Sequence, residues 1–253
     1  MSPTRKFLLR LLAVAAVLGL IATAVTVVRS QDDPPLVAAD QAVQGPVLLV
    51  PGYGGATGAL EVLAASLRAA GRTASVVPLA GDGTGDLALS VAALEAAVAA
   101  AGPLPVDLVG YSAGGVVARL WTRDASSQVR RVVTLGSPHH GTDVAAIGAA
   151  LLPGACPVAC RQLVPGSDLL VDLNDGDETP DGPQWLTLWT TQDQVVTPPT
   201  SARLDGAVEV ELQQLCPGLQ VDHGRLPVDP VVTRIVIDAL SAPAITPPGP
   251  QLC

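Results

Sequence analysis

Positive charge, aromatic rings and histidine are all scarce in this chain. Lys6 is the one lysine, and aromatics make up 2% of the 253 residues. The leader through Ser30 carries four of the 14 basic residues (Arg5, Lys6, Arg10, Arg29) and no acid. The remainder holds ten arginines against 23 acids, a formal charge of −13. So acidic a body excludes nucleic acid as a partner, because phosphate binding needs a basic face. The three histidines (His139, His140, His223) are not spaced as ligands around the four cysteines, so no metal is expected. The acidic loop Asp175–Asp181 lacks the calcium-loop register and reads as solvated. No G-K-[ST] follows a glycine-rich stretch, and Gly81–Asp86 fails as a dinucleotide fingerprint. No cofactor is therefore expected, and no internal repeat is present. With so few rings, the core must be built mostly from alanine, valine and leucine.

The amino-terminal residues have an export pattern. A basic start precedes an uncharged run, Leu11–Val28, with Ala22-Thr23-Ala24 as an A-x-A-like cleavage site. Residues 1–30 thus read as a signal peptide or an uncleaved signal anchor. The apolar run is near the minimum length of a membrane helix, so residues 7–28 are the segment that would tether the chain and touch the membrane. Basic residues before the run place the rest outside the cytoplasm in either case. No cysteine stands near the cleavage site to carry a lipid. Four cysteines in an exported chain imply disulfides. Of three possible pairings, proximity favours Cys156 with Cys160, leaving Cys216 with Cys253 to staple the tail.

After a polar linker over 31–45, short apolar runs alternate with helical segments. Strands are expected at Pro46–Val50, Thr73–Leu79, Val106–Tyr111 and Arg131–Leu135. Helices are expected at Ala59–Ala70, stopped by Gly71, and from Asp86 or Ser90 to Ala101. Near-continuously apolar strands in a βαβ rhythm predict an α/β fold: a mostly parallel central sheet with helices on both faces. The rhythm breaks over 141–183, which reads as a cap- or lid-like insertion shaping the ligand site. Strands at Trp185–Trp189 and Ala207–Leu212 follow, then a last helix, Val228–Leu240, and a Pro-rich tail over 243–253. The single large domain spans 46–242.

Gly110-Tyr111-Ser112-Ala113-Gly114 fits G-x-S-x-G between an apolar strand and a helix-compatible run. A serine on such a sharp turn presents its Oγ, and the helix that starts there aims free N–H groups at developing negative charge. A serine needs a base, and the base needs an orienting acid, in the chain order Ser, Asp or Glu, His. His223 is the histidine far downstream, in a loop before the last helix. His139 and His140 follow the strand beside the elbow and read as packing or loop residues. Asp193 follows the strand at Trp185–Trp189. Asp205 is its rival, and Asp222 is too close to His223 in sequence to orient it. Backbone donors for an oxyanion are expected at Ala113, after the serine, and at Tyr53, in the glycine-rich loop Pro51–Gly55.

Several segments together resemble the small secreted bacterial triacylglycerol lipases (lipase class 2, of the α/β-hydrolase superfamily). They are Leu48-Leu-Val-Pro-Gly-Tyr-Gly-Gly55, Leu108-Val-Gly-Tyr-Ser-Ala-Gly-Gly115, Thr134-Leu-Gly-Ser-Pro-His-His-Gly-Thr142, Asp193-Gln-Val-Val196, Ser201–Gly206 and Val221-Asp-His-Gly224. The resemblance runs from about residue 46 to 240 in the family's order. It implies an α/β-hydrolase fold with Ser112, Asp193 and His223 as catalytic triad and Tyr53 and Ala113 as oxyanion donors. It favours Asp193 over Asp205, which falls in the helix-like segment after the acid's loop. Pro51-Gly52 stands where many members carry His-Gly. The expected activity is hydrolysis of lipid or small acyl esters by an exported monomer. Acyl transfer by the same residues, and an inactive binding protein of this fold, are the alternatives.

Overall fold

The computed structural model describes residues 38–151 and 153–253. The signal segment expected over residues 1–30 and residues 31–37 of the linker lie outside the described residues. No helix among the described residues is long and apolar enough to cross a membrane. The remaining linker residues, 38–45, form no helix or strand but pack on the body: Ala39 is buried and Gln41 donates to the Arg130 carbonyl at 3.0 Å.

Six strands form one sheet: β1 (Val47–Val50), β2 (Ala74–Val76), β3 (Val106–Tyr111), β4 (Val129–Leu135), β5 (Gln184–Trp189) and β6 (Val208–Glu211). Their order is β2-β1-β3-β4-β5-β6, and every pairing is parallel. The sheet is thus wholly parallel where a mostly parallel one was expected. The stretch expected as a strand to Leu79 is cut to three residues, although the Val77 amide still donates to Leu49.

Side chains alternate across the pleat, so β1 sends Val47 and Leu49 to one face and Leu48 and Val50 to the other. On the first face lie α1 (Gly58–Ala69) and the last helix, α8 (Pro230–Ser241). Leu60, Leu63, Ala64 and Leu67 make a buried stripe at helical spacing, each leucine contributing about 1.5–3 kcal/mol. On the second face lie α2 (Leu87–Ala101) and α3 (Ala113–Ala125). Asp86, not Ser90, starts α2, because its Oδ1 accepts the Ala88 amide at 2.9 Å. Likewise α8 begins at Pro230, two residues later than Val228, because Asp229 caps it through the Val231 amide at 2.9 Å.

The region 141–183 contains three short helices, α4 (Asp143–Leu151), α5 (Val158–Gln162) and α6 (Asp168–Leu173). A disulfide joins Cys156 and Cys160 within it. A four-residue helix, α7 (Leu212–Leu215), follows β6. Beyond α8 the tail is tied down: Cys253 is bonded to Cys216, and Ile245 is buried with its amide on Gln184 Oε1.

At the amino-terminal edge of the sheet, polar residues are buried where apolar ones would be expected. Asp107, fully buried on β3, receives Arg72 at 2.6 Å and a two-pronged contact from Arg130 at 2.9 and 2.5 Å. Arg72 and Arg130 also donate to the Leu240 carbonyl at 2.8 and 2.7 Å. Arg131 donates to the carbonyls of Ala239 and Ala242. Three guanidinium groups thus meet the carboxyl end of α8, where the helix dipole is negative and the last carbonyls lack partners within the helix.

Candidate active site

In a parallel sheet every strand ends at the same edge, and ligand sites form there. Ser112 sits at the end of β3 with φ 54° and ψ −129°, the one described non-glycine residue at positive φ. Backbone in this region is strained by about 1–3 kcal/mol. Small neighbours make the turn possible. A Cβ on Gly110 would strike the Gly115 main chain, and one on Gly114 would strike the carbonyls of Val50 and Pro51. Gly52 is equally confined: a Cβ there would lie 2.8 Å from the Ser112 Cβ. The β1–α1 loop therefore runs directly against the serine. Ala113 is the first residue of α3, so its amide has no acceptor within the helix. The Tyr53 amide makes no hydrogen bond among the described residues, and its side chain is exposed.

His223 opens a single 3-10 turn, His223–Arg225, whose cap is Asp222: its Oδ1 accepts the Arg225 amide at 3.0 Å. This role explains Asp222 without any part in orienting the ring. His223 Nε2 lies 3.0 Å from Ser112 Oγ, and Nδ1 lies 2.6 Å from Asp193 Oδ2. All three residues are buried. The other Asp193 oxygen accepts the amides of Val195 and Val196 at 2.9 and 2.8 Å, which fixes the carboxylate plane. Gln192 and Thr190 bind the main chain of Val221 at 2.9 and 2.6 Å, so the acid's loop and the histidine's loop hold each other in register.

Asp205 makes no hydrogen bond with this group among the described residues. It lies in a turn beyond the 3-10 segment Pro199–Ala202, not in a helix, and its amide donates to Glu178 Oε2 at 2.8 Å. Gly136 belongs to this group by shape alone and carries no chemical signal in the sequence. Its φ is +54°, and a Cβ would come 3.1 Å from Asp193 Oδ2, 3.3 Å from His223 Nδ1 and 2.6 Å from Leu226. Only the glycine of Thr134-Leu-Gly-Ser-Pro leaves room for the Asp–His contact.

His139 is wholly buried, with Nε2 3.1 Å from Thr134 Oγ1. Burial, with Arg119 and His140 nearby, holds its pKa well below the usual histidine value, so the ring is neutral. Arg119, on α3, is buried too, and burial brings its pKa down to about 10. Its guanidinium donates to the carbonyls of Leu173 and Glu178 and to Asn174 Oδ1, pinning the end of α6 to the elbow helix.

His140 behaves differently. Its Nε2 faces Glu178 Oε1 at 2.7 Å and Nδ1 faces the Ser201 carbonyl at 3.2 Å, so both nitrogens donate when the ring is charged. The Glu178 hydrogen bond raises the His140 pKa against the opposing effect of burial. For Glu178, burial acts upward, but the bonds from His140 and the Asp205 amide outweigh it and the pKa is lowered. A raised histidine pKa gives stability that is complete below the unfolded value and fades as pH rises through the folded one. A lowered carboxylate pKa gives stability that fades only as pH falls through its folded value. His140→Ala should therefore lower Tm more at about pH 5.5 than at about pH 8.5. Equal losses at both would show that the pair is not ionised in the folded chain.

Residues 92–148 match the family described as the PGAP1-like alpha/beta domain. No curated protein matches the chain. Solved structures do resemble it. Lipase B of Aspergillus fumigatus matches with a TM-score of 0.70 and 19% identity, over 83% of this chain and 55% of that one. The mature lipase BlEst2 of Bacillus licheniformis matches with a TM-score of 0.62 and 21% identity, over 82% and 96%. A monoacylglycerol lipase of Paleococcus ferrophilus matches with a TM-score of 0.57 and 16% identity, over 82% and 97%. The chain thus spans about half the length of the fungal protein and nearly all of the other two. Together with the wholly parallel sheet and the strand-to-helix serine turn, these likenesses establish that the chain has the α/β-hydrolase fold.

Proposed function

We propose that the chain is an exported serine ester hydrolase of lipase-like specificity. The observation that carries this reading is the hydrogen-bonded line Ser112 Oγ–His223 Nε2 and His223 Nδ1–Asp193 Oδ2, with spacings of 3.0 and 2.6 Å. Asp193 accepts a hydrogen bond from Nδ1–H, which leaves Nε2 as the acceptor for the serine proton. Ser112 Oγ attacks the ester carbonyl carbon as its proton moves to His223. The amides of Tyr53 and Ala113 hold the carbonyl oxygen as it becomes an oxyanion. The intermediate collapses, the alcohol departs with the proton from His223, and the acyl group stays on Ser112. Water then repeats the sequence and releases the acid. The export pattern of the leader and two disulfides support a place outside the cytoplasm.

The apolar substrate is supported by α4. From Val144 to Cys160 the sequence has no charged side chain. Val144, Ile147 and Leu151, at helical spacing, are 46, 57 and 74% exposed. The start of α4 is tied to the loop carrying Asp193: Thr142 Oγ1 donates to the Val195 carbonyl at 2.6 Å, and the Asp143 amide to Thr197 at 2.8 Å. An uncharged, outward-facing stripe on a helix anchored to the Asp193 loop suits long acyl chains. Ile147→Asp should lower hydrolysis of a long-chain ester roughly tenfold and leave a short soluble ester within about twofold. Equal loss on both would remove α4 from substrate selection.

A fluorophosphonate probe tests the reading itself, because only an activated serine displaces its fluoride. The purified protein should hydrolyse nitrophenyl esters and take up the probe at Ser112. Folded protein that does neither is not a serine hydrolase.

A further inference from the structure

Tyr111, the residue before the serine, has no role in the steps above, yet it touches the base twice. Its hydroxyl donates to the main-chain carbonyl of His223 at 3.2 Å. Its ring centroid lies 5.1 Å from that of the imidazole, with the planes tilted by 34°. Neither contact follows from the elbow itself, which requires only that the residue before the serine fit the strand. The ring faces the first side of the sheet, packed against the α1 and α8 core, and is partly buried. Burial, then the nearby charges of Asp193 and Asp222, push the Tyr111 pKa up to about 12, so the hydroxyl stays a donor at any working pH.

We propose that Tyr111 is a positioning residue for His223: its hydroxyl tethers the His223 main chain and its ring supports the imidazolium. This rests on the serine-hydrolase reading. In the proposed step the positive charge appears on the imidazole as Ser112 gives its proton to Nε2. A π-face within about 6 Å of a cation attracts it, and the attraction grows when water is excluded. His223 is 7% exposed, so that condition is met. The ring therefore favours the transition state over bound substrate, an effect that enters kcat and not KM. The tether acts in the same direction by holding the ring of His223 between Asp193 and Ser112.

Two variants separate these parts. Tyr111→Phe keeps the ring and removes the tether, whereas Tyr111→Leu removes both. On a soluble nitrophenyl ester, Phe should lower kcat about two- to threefold and Leu about tenfold, with KM within about twofold for each. Fluorophosphonate labelling guards against mere misfolding, because it needs the same base. The labelling rate should fall in step with kcat, while the final extent stays at one label per chain. The proposal is overturned if the Leu variant keeps its kcat, or if the loss appears in KM. It is also overturned if the final extent falls while the rate per labelled site is unchanged, since that outcome is purely structural. If the unaltered protein neither hydrolyses nor labels, the serine-hydrolase reading falls and this proposal with it. A fully active parent with indifferent variants sinks the proposal alone.

Discussion

Replacing Ser112 by alanine is expected to lower kcat on a nitrophenyl ester by about 10⁴- to 10⁶-fold, with KM nearly unchanged. The size follows from what remains. In the proposed mechanism, loss of Oγ removes the acyl-enzyme, and His223, still held by Asp193, would only assist water. The amides of Tyr53 and Ala113 would continue to stabilise an oxyanion, so a residual rate above the uncatalysed one should persist. His223→Ala should cost a similar factor, and the double variant little more, because in the proposed mechanism nucleophile and base act as one unit. Stability offers a second readout. Alanine keeps the strained φ of 54° at position 112, whereas glycine relaxes it. Ser112→Gly should therefore be as inactive as Ser112→Ala but more stable by about 1–2 kcal/mol in urea unfolding. Kinetics in which Ser112→Ala keeps more than a hundredth of the parent rate would place the chemistry elsewhere.

Some of this architecture is legible along the chain and some is not, and the division has physical causes. The elbow is local: its glycines and serine are contiguous, so five residues announce a turn that the structure places at the end of β3. Most of the strands are legible for a similar reason, since buried parallel strands are largely apolar, whereas edge strand β6 alternates valine with glutamate. Helix limits were less so, because Asp86 and Ser90 are both competent caps and only the Ala88 contact decides between them. His223 stands out because histidines are rare here. A place in the loop after a strand points to Asp193 with Asp205 as rival, and the resemblance sets Asp193 above it. In space Asp193 faces His223, while the amide of Asp205 binds Glu178. The importance of Gly136 and Tyr111 is not legible in the sequence because it is tertiary. One is defined by a contact between residues 57 and 87 positions downstream, the other by a ring 112 positions away. Asp107 was read as part of an apolar strand. An acid inside such a run, with paired arginines opening the neighbouring strand, is a signal that sequence contains and that burial makes intelligible.

That acid leads to a large expected effect on stability. Asp107→Ala should cost about 3–5 kcal/mol, because it leaves buried guanidinium groups without their carboxylate. The arrangement is unusual in its charge balance. Arg72, Arg130 and Arg131 converge on one end of α8, and Asp107 is the only carboxylate that contacts them among the described residues. The helix end supplies part of the compensation, through carbonyls of Ala239, Leu240 and Ala242 and a fractional negative charge. Even with Asp107 present, burial and the neighbouring Arg130 hold the Arg131 pKa down to about 10. Deleting the acid removes the main counterion and adds repulsion, so the loss should exceed that of a cavity of the same size. Asp107→Asn would keep the volume but set amide hydrogens against guanidinium hydrogens, and should recover little. By contrast, Asp107→Ala combined with Arg72→Met removes one cation with the anion and should recover part of the loss, as a non-additive cycle in urea unfolding. Activity per folded molecule should stay at the parent level throughout. Asp107 lies five residues before Ser112 on an extended strand, roughly 16 Å away at the opposite edge of the sheet. A large fall in kcat with unchanged stability would mean that the arginine cluster is felt at the serine, and that the two edges of β3 are energetically coupled.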